Sequence, residues 1–91
     1  MSLVIEILKE ILNPKFNPAL TAAEIQFKFE KLIEAIQIER PGNQWETLII
    51  SIKENFQNQI DTKNNYEEQI SLLNQCAQMV NEYYKIYYFN S

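Results

Sequence analysis

A chain of 91 residues and 10.8 kDa holds one domain and leaves no room for a second. At 46% hydrophobic and 22% charged it lies in the globular range, and a single glycine argues against sandwiches, barrels and phosphate-cradling loops, whose turns need positive φ. The absence of histidine removes the usual general base and the commonest metal ligand, while a net charge of −4 with scattered lysines disfavours nucleic acid as a partner.

In MSLVIEILKEIL, Leu3, Val4, Ile7, Leu8 and Ile11 recur at helical spacing and predict a first helix over about 2–13, ended by Asn13-Pro14. Glu6, Lys9 and Glu10 interrupt the apolar run, which predicts neither a signal peptide nor a membrane span. Its polar face has the wrong sign for anionic lipid, so packing into a bundle is expected. The connection NPKFNPAL is stiffened by two prolines, and Phe16 is a candidate to tuck under the bundle.

A second helix is predicted over 21–39. Thr21 with Glu24 has capping-box spacing, and Leu20 with Ile25 has staple spacing. Ile25, Phe29, Leu32, Ile33 and Ile36 form its buried face. Phe27 and Ile38 lie off that stripe and predict contacts with neighbours on two sides. Arg40-Pro41-Gly42 ends the helix, with the glycine placed as its terminator. Asn43 and Glu46 repeat the capping-box spacing and open a third helix over 44–60, patterned by Trp45, Leu48, Ile49, Ile52, Phe56 and Ile60.

Asn65 with Glu68 gives a third capping signal, for a fourth helix over 65–89. Tyr66, Ile70, Leu73, Ala77, Val80, Tyr84 and Tyr87 alternate spacings of four and three, a heptad seam. Leu72, Cys76, Met79, Tyr83 and Ile86 run beside it, so the stripe is wide enough for more than one partner helix. Similar helix lengths and short connections predict an all-α, compact four-helix bundle, up-down-up-down and antiparallel. The alternative is a three-helix bundle with a loosely docked N-terminal helix.

Chemistry is sparse. Cys76 has no disulfide partner and reads as a small core residue in a reducing compartment, hence the cytoplasm. Glu6/Glu10 and Glu30/Glu34 are i, i+4 carboxylate pairs, yet lysines lie beside both and no histidine completes a metal site. No catalytic residue, cofactor or metal is therefore expected. Asn74, Gln75, Gln78 and Asn81 form an amide-rich outer face, in keeping with the 18 Asn and Gln spread along the chain. The most informative stretch is NEYYKIYYFNS. A fourth helix about 36 Å long outruns a third of about 25 Å. Its surplus gathers Tyr83, Tyr84, Tyr87, Tyr88 and Phe89 at the pole where Trp45, Leu3 and Val4 also lie. Tyr and Trp are the usual anchors of binding hot spots, so this pole is a candidate protein interface; the competing reading is an internal cap on the core. The expectation is a small protein–protein interaction module with an unidentified protein partner, possible homodimerisation through the fourth helix, and no nucleic-acid or membrane partner. The alternative is an inhibitor of a toxin or enzyme, of the antitoxin or bacteriocin-immunity type, on size and charge alone.

Overall fold

The computed structural model describes residues 2–13, 22–63 and 65–89, the side chains of residue 22 and of 86–89 excepted. They form four helices: α1 (Leu3–Ile11), α2 (Ala22–Glu39), α3 (Asn43–Ile60) and α4 (Tyr66–Phe89). No strand occurs among the described residues. Phe16 and the Leu20/Thr21 half of the staple and capping box lie outside them.

Side-chain pairings fix the directions. Glu39 at the end of α2 meets the start of α1, and Lys28 near the start of α2 meets Glu10 near the end of α1. Phe29 stacks on Phe56, joining the first half of α2 to the last part of α3. Trp45 meets Tyr83 and Tyr84, while Asn55 meets Cys76, so α3 and α4 are also antiparallel. The result is an up-down-up-down four-helix bundle. Each helix packs on its sequence neighbours, α1 closes the ring against α4, and α2 also touches α4 across the diagonal. The helices α1 and α3 do not touch, so the section is a flattened rhombus with α2 and α4 on the short diagonal.

The core follows the helical stripes. Val4, Leu8 and Ile11 are buried from α1; Ile25, Phe29, Leu32, Ile33 and Ile36 from α2; Leu72, Leu73, Cys76, Ala77, Val80 and Tyr84 from α4. All six patterned apolar residues of α3, from Trp45 to Ile60, are buried. Each large aliphatic residue removed from water contributes about 1.5–3 kcal/mol, which offsets the backbone entropy of ordering its helix. With three such residues docked, α1 is an integral element and the three-helix alternative does not hold. Most of the α4 stripe is likewise absorbed within the chain, because α4 meets all three other helices, while Tyr66 and Met79 stay exposed.

Two features of the sequence behave differently from expectation. Phe27 and Ile38 contact neither flanking helix as core residues; both point outward and are exposed. Gly42 does not terminate α2 but is the N-cap of α3, with φ +145° and its carbonyl accepting from the Glu46 N–H at 3.0 Å. Asn43 is therefore the first helical residue and makes no cap. A Cβ at Gly42 would meet nothing within 4 Å, so only the backbone conformation demands glycine. Asn65, in contrast, caps α4 as expected: its Oδ1 accepts from the Glu68 N–H at 3.0 Å.

The start of α1 is held from a distance. Ser2 Oγ accepts from the Ile5 N–H at 3.1 Å and donates to Glu39 Oε2 at 2.8 Å. Glu39 Oε1 accepts from the backbone N–H groups of Leu3 and of Val4, the latter at 3.2 Å. A carboxylate from α2 thus neutralises the positive end of α1 and satisfies two of its orphan donors. Glu39→Ala should lower stability by about 1–2 kcal/mol and deprotect the amides of α1 first, as read by hydrogen exchange. Unchanged protection in α1 would show that burial alone holds this helix.

Phe29 and Phe56 stack with centroids 4.0 Å apart and planes 6° from parallel, the main bond between α2 and α3. Each alanine substitution should cost about 3–5 kcal/mol in denaturant unfolding. The double variant should cost less than the sum by about 0.5–1.5 kcal/mol, the ring–ring share.

Candidate functional site

Of the aromatic residues assigned to one pole, the structure brings Trp45, Tyr83 and Tyr84 together where four helix ends meet. The start of α1, the end of α2, the start of α3 and the end of α4 meet there. Trp45 occupies the centre. Tyr83 and Tyr84 each approach it edge-on at 5.0 Å, with planes at 73° and 64°. The Arg40 guanidinium lies 5.9 Å over the indole and 5.8 Å over the Tyr84 ring. Tyr83 Oη donates to the Gln44 carbonyl at 3.3 Å. Edge-to-face packing sets the positive edge of one ring against the negative face of the other, and the guanidinium exploits the same quadrupole.

Trp45 and Tyr84 are buried and Tyr83 is half-buried, so these three cap the core from within. The side chains of Tyr87, Tyr88 and Phe89 lie outside the described residues, although the α4 backbone is helical through Phe89. Because Trp45 is level with Tyr83 and Tyr84, and α3 begins at Asn43, residues 86–89 continue α4 past the start of α3. Arg40, Glu39 and Leu3 complete the pole. Leu3 was expected at this end from the sequence, whereas Glu39 was not singled out and Arg40 was read only as part of the stop of α2.

A second concavity, also unforeseen, is a groove of about 370 Å³ between α2 and α3. Its floor is the Phe29–Phe56 stack with Ile33 and Ile60; its walls are Gln26, Gln37 and Gln57 amides with Glu30, Glu34 and Lys53. The floor residues are already buried beneath the wall side chains, so little apolar surface is left for a ligand. The Glu30/Glu34 pair thus lies on a groove wall, where Lys31 sits 4.0 Å from Glu34. Glu10 pairs with Lys28 of α2 rather than with Lys9. Among the described residues no three acidic or cysteine side chains converge as metal ligands would. The amide face of α4 is partly self-paired, Gln78 Nε2 donating to Asn74 Oδ1 at 2.9 Å.

Cys76 is fully buried on α4. The Asn55 amide donates to its sulfur at 3.7 Å, and Gln59 in turn donates to Asn55 Oδ1. Burial pushes the Cys76 thiol above its ordinary value, and the Asn55 hydrogen bond only partly offsets this. The thiolate needed for redox or nucleophilic work is therefore disfavoured.

No family model, curated protein or solved structure matches this chain. Among the described residues no helix is long and apolar enough to cross a membrane.

The thiol gives a test of both burial and charge. In the unfolded chain it ionises near pH 8.5, whereas the folded chain keeps the proton to higher pH. Unfolding then releases a proton, so stability falls as pH rises from about 8.5 until the folded thiol itself ionises. Cys76→Ala should lose a constant increment at neutral pH and show a shallower alkaline decline in denaturant midpoints. Alkylation of the native chain should be limited by opening of the bundle; rapid labelling under native conditions would contradict the burial.

Proposed function

We propose that this chain is a small, non-enzymatic protein–protein interaction module of the cytoplasm, a regulator, adaptor or assembly factor that docks its partner at the aromatic pole. The observation that carries this reading is the mismatch of helix lengths. The 24 residues of α4 face the 18 of α3, and the pairings split the surplus between the two ends, part of it falling where Trp45, Tyr83 and Tyr84 are packed. About one turn of helix, residues 86–89, thereby continues past α3 and carries Tyr87, Tyr88 and Phe89. Beneath it, Trp45, Tyr84 and Arg40 form a preorganised base, which lowers the ordering cost of binding. Leu3, exposed at the same end, adds apolar surface.

Composition supports the same reading. A chain without histidine, with one buried thiol and an acidic balance, offers surfaces rather than chemistry. A reducing compartment suits the unpaired cysteine.

The test is a set of pole variants of the full chain that leave the Trp45–Tyr84 packing intact. Tyr87→Ser/Tyr88→Ser/Phe89→Ser should keep helicity and most of the thermal stability while reducing capture of a specific partner at least about tenfold, the effect of removing hot-spot aromatics. Equal capture by both chains would sink the proposal. Unfolding of the triple variant would instead assign these residues to the cap, and Leu3→Ser then becomes the variant that decides.

A further inference from the structure

The outer face of α2 carries a pattern that the bundle does not use. Phe27 and Ile38 are 52% and 66% exposed, and Lys31 and Glu34 lie between them with their side chains also in solvent. The spacings of four, three and four place all four residues on one stripe of the helix, opposite its buried face. Within the chain the stripe is weakly satisfied: Lys31 lies 5.3 Å from the Phe27 ring centre and 4.0 Å from Glu34.

This stripe is complementary to itself. About a two-fold axis passing between Leu32 and Ile33, an antiparallel copy of α2 sets Phe27 level with Ile38 and Lys31 level with Glu34. Elsewhere along the helix the same axis sets Lys28 level with Gln37, Glu30 with Ala35 and Glu24 with Pro41, so no like charges face one another. The register is specific. Sliding the partner helix by about a turn in one direction sets Phe27 against Glu34, and in the other sets Lys31 against Ile38.

We infer that the chain forms a two-fold dimer through the outer face of α2, with Phe27 packed on Ile38 of the partner subunit and Lys31 paired with Glu34 of the partner subunit. Each contact occurs twice, as an isologous interface requires. One helix face of about 27 Å is a modest area, so the dimer belongs among the weak, concentration-dependent ones. The interface is separate from the aromatic pole and stands or falls independently of it.

Charge reversal tests the pairing, because exposed positions can be altered without disturbing the core. Sedimentation or light scattering across a concentration series should show the wild-type chain passing from 10.8 kDa to twice that mass. Lys31→Glu alone sets acid against acid at both pairs, and Glu34→Lys alone sets base against base. Each should raise the dissociation constant at least about tenfold. An equimolar mixture of the two variants should recover a heterodimer, since every pair is then of opposite charge. Phe27→Ser should weaken association in either background. A wild-type chain that stays monomeric at every concentration overturns the inference. So does a dimer that survives both reversals, or a mixture of the variants that fails to associate.

Discussion

Two consecutive residues at the end of α2 tie the whole bundle together at one pole. Glu39 reaches sideways to the first turn of α1, and Arg40 reaches the other way to Trp45 of α3 and Tyr84 of α4. The consequence is largest for α1. A helix of nine residues is too short to persist alone in water, because the cost of nucleation is spread over few hydrogen bonds. It forms only against a surface that buries Val4, Leu8 and Ile11 and neutralises its N-terminus, and α2 with α4 supplies that surface. The directions of α3 and α4 follow once these ends are brought together, since the connections on both sides of α3 are short.

The rhombic section explains why α4 is both the longest helix and the most broadly apolar. It lies on the short diagonal, so its stripe must serve α1, α2 and α3 at once. A single heptad seam would have sufficed for one neighbour, whereas here Leu72 and Cys76 flank Leu73, Ala77, Val80 and Tyr84 and all are buried. Small residues at the centre of this surface, Cys76 and Ala77, let the helices across the diagonal approach. The geometry also decides what remains outside. A helix on the short diagonal is covered through its inner half, and the outer half of α2 keeps Phe27 and Ile38 in water.

The parts of the fold that repeat every three or four residues were legible, because periodic burial is a local property of the chain. Ile25 through Ile36, Trp45 through Ile60 and Leu73 through Tyr84 all lie where their spacing put them. The Asn65 cap was legible for the same reason, its donor being three residues away. The Glu39 cap was not, because donor and acceptor stand 36 residues apart and no local pattern links them. Gly42 was read as the end of one helix when it begins the next; a glycine between two helices with two intervening residues satisfies either role by composition, and only its φ of +145° with the Glu46 hydrogen bond separates them. Phe27 and Ile38 were taken for a second packing face because hydrophobicity marks what gains by burial, not whether the chain itself supplies the cover.

That last distinction governs how aromatic-rich segments are to be understood. A side chain adds to binding only the surface that is still wet in the free protein, at roughly 25 cal/mol per Å². Trp45 and Tyr84 have already lost theirs to each other and to Arg40, so their contribution to any complex is the rigidity of the platform they form. Tyr83 keeps part of its ring in solvent and one hydrogen bond to the Gln44 carbonyl. Phe27, Ile38 and Ile50 keep about half or more of theirs. Buried aromatics therefore mark where the bundle is best braced, and among the described side chains the apolar surface still able to gain on association includes that of Leu3 at the pole and of Phe27, Ile38 and Ile50 on outer faces. In the two proposals the surfaces differ accordingly: the pole would offer a base already fixed in shape, and the outer stripe of α2 would offer apolar area that is still wet.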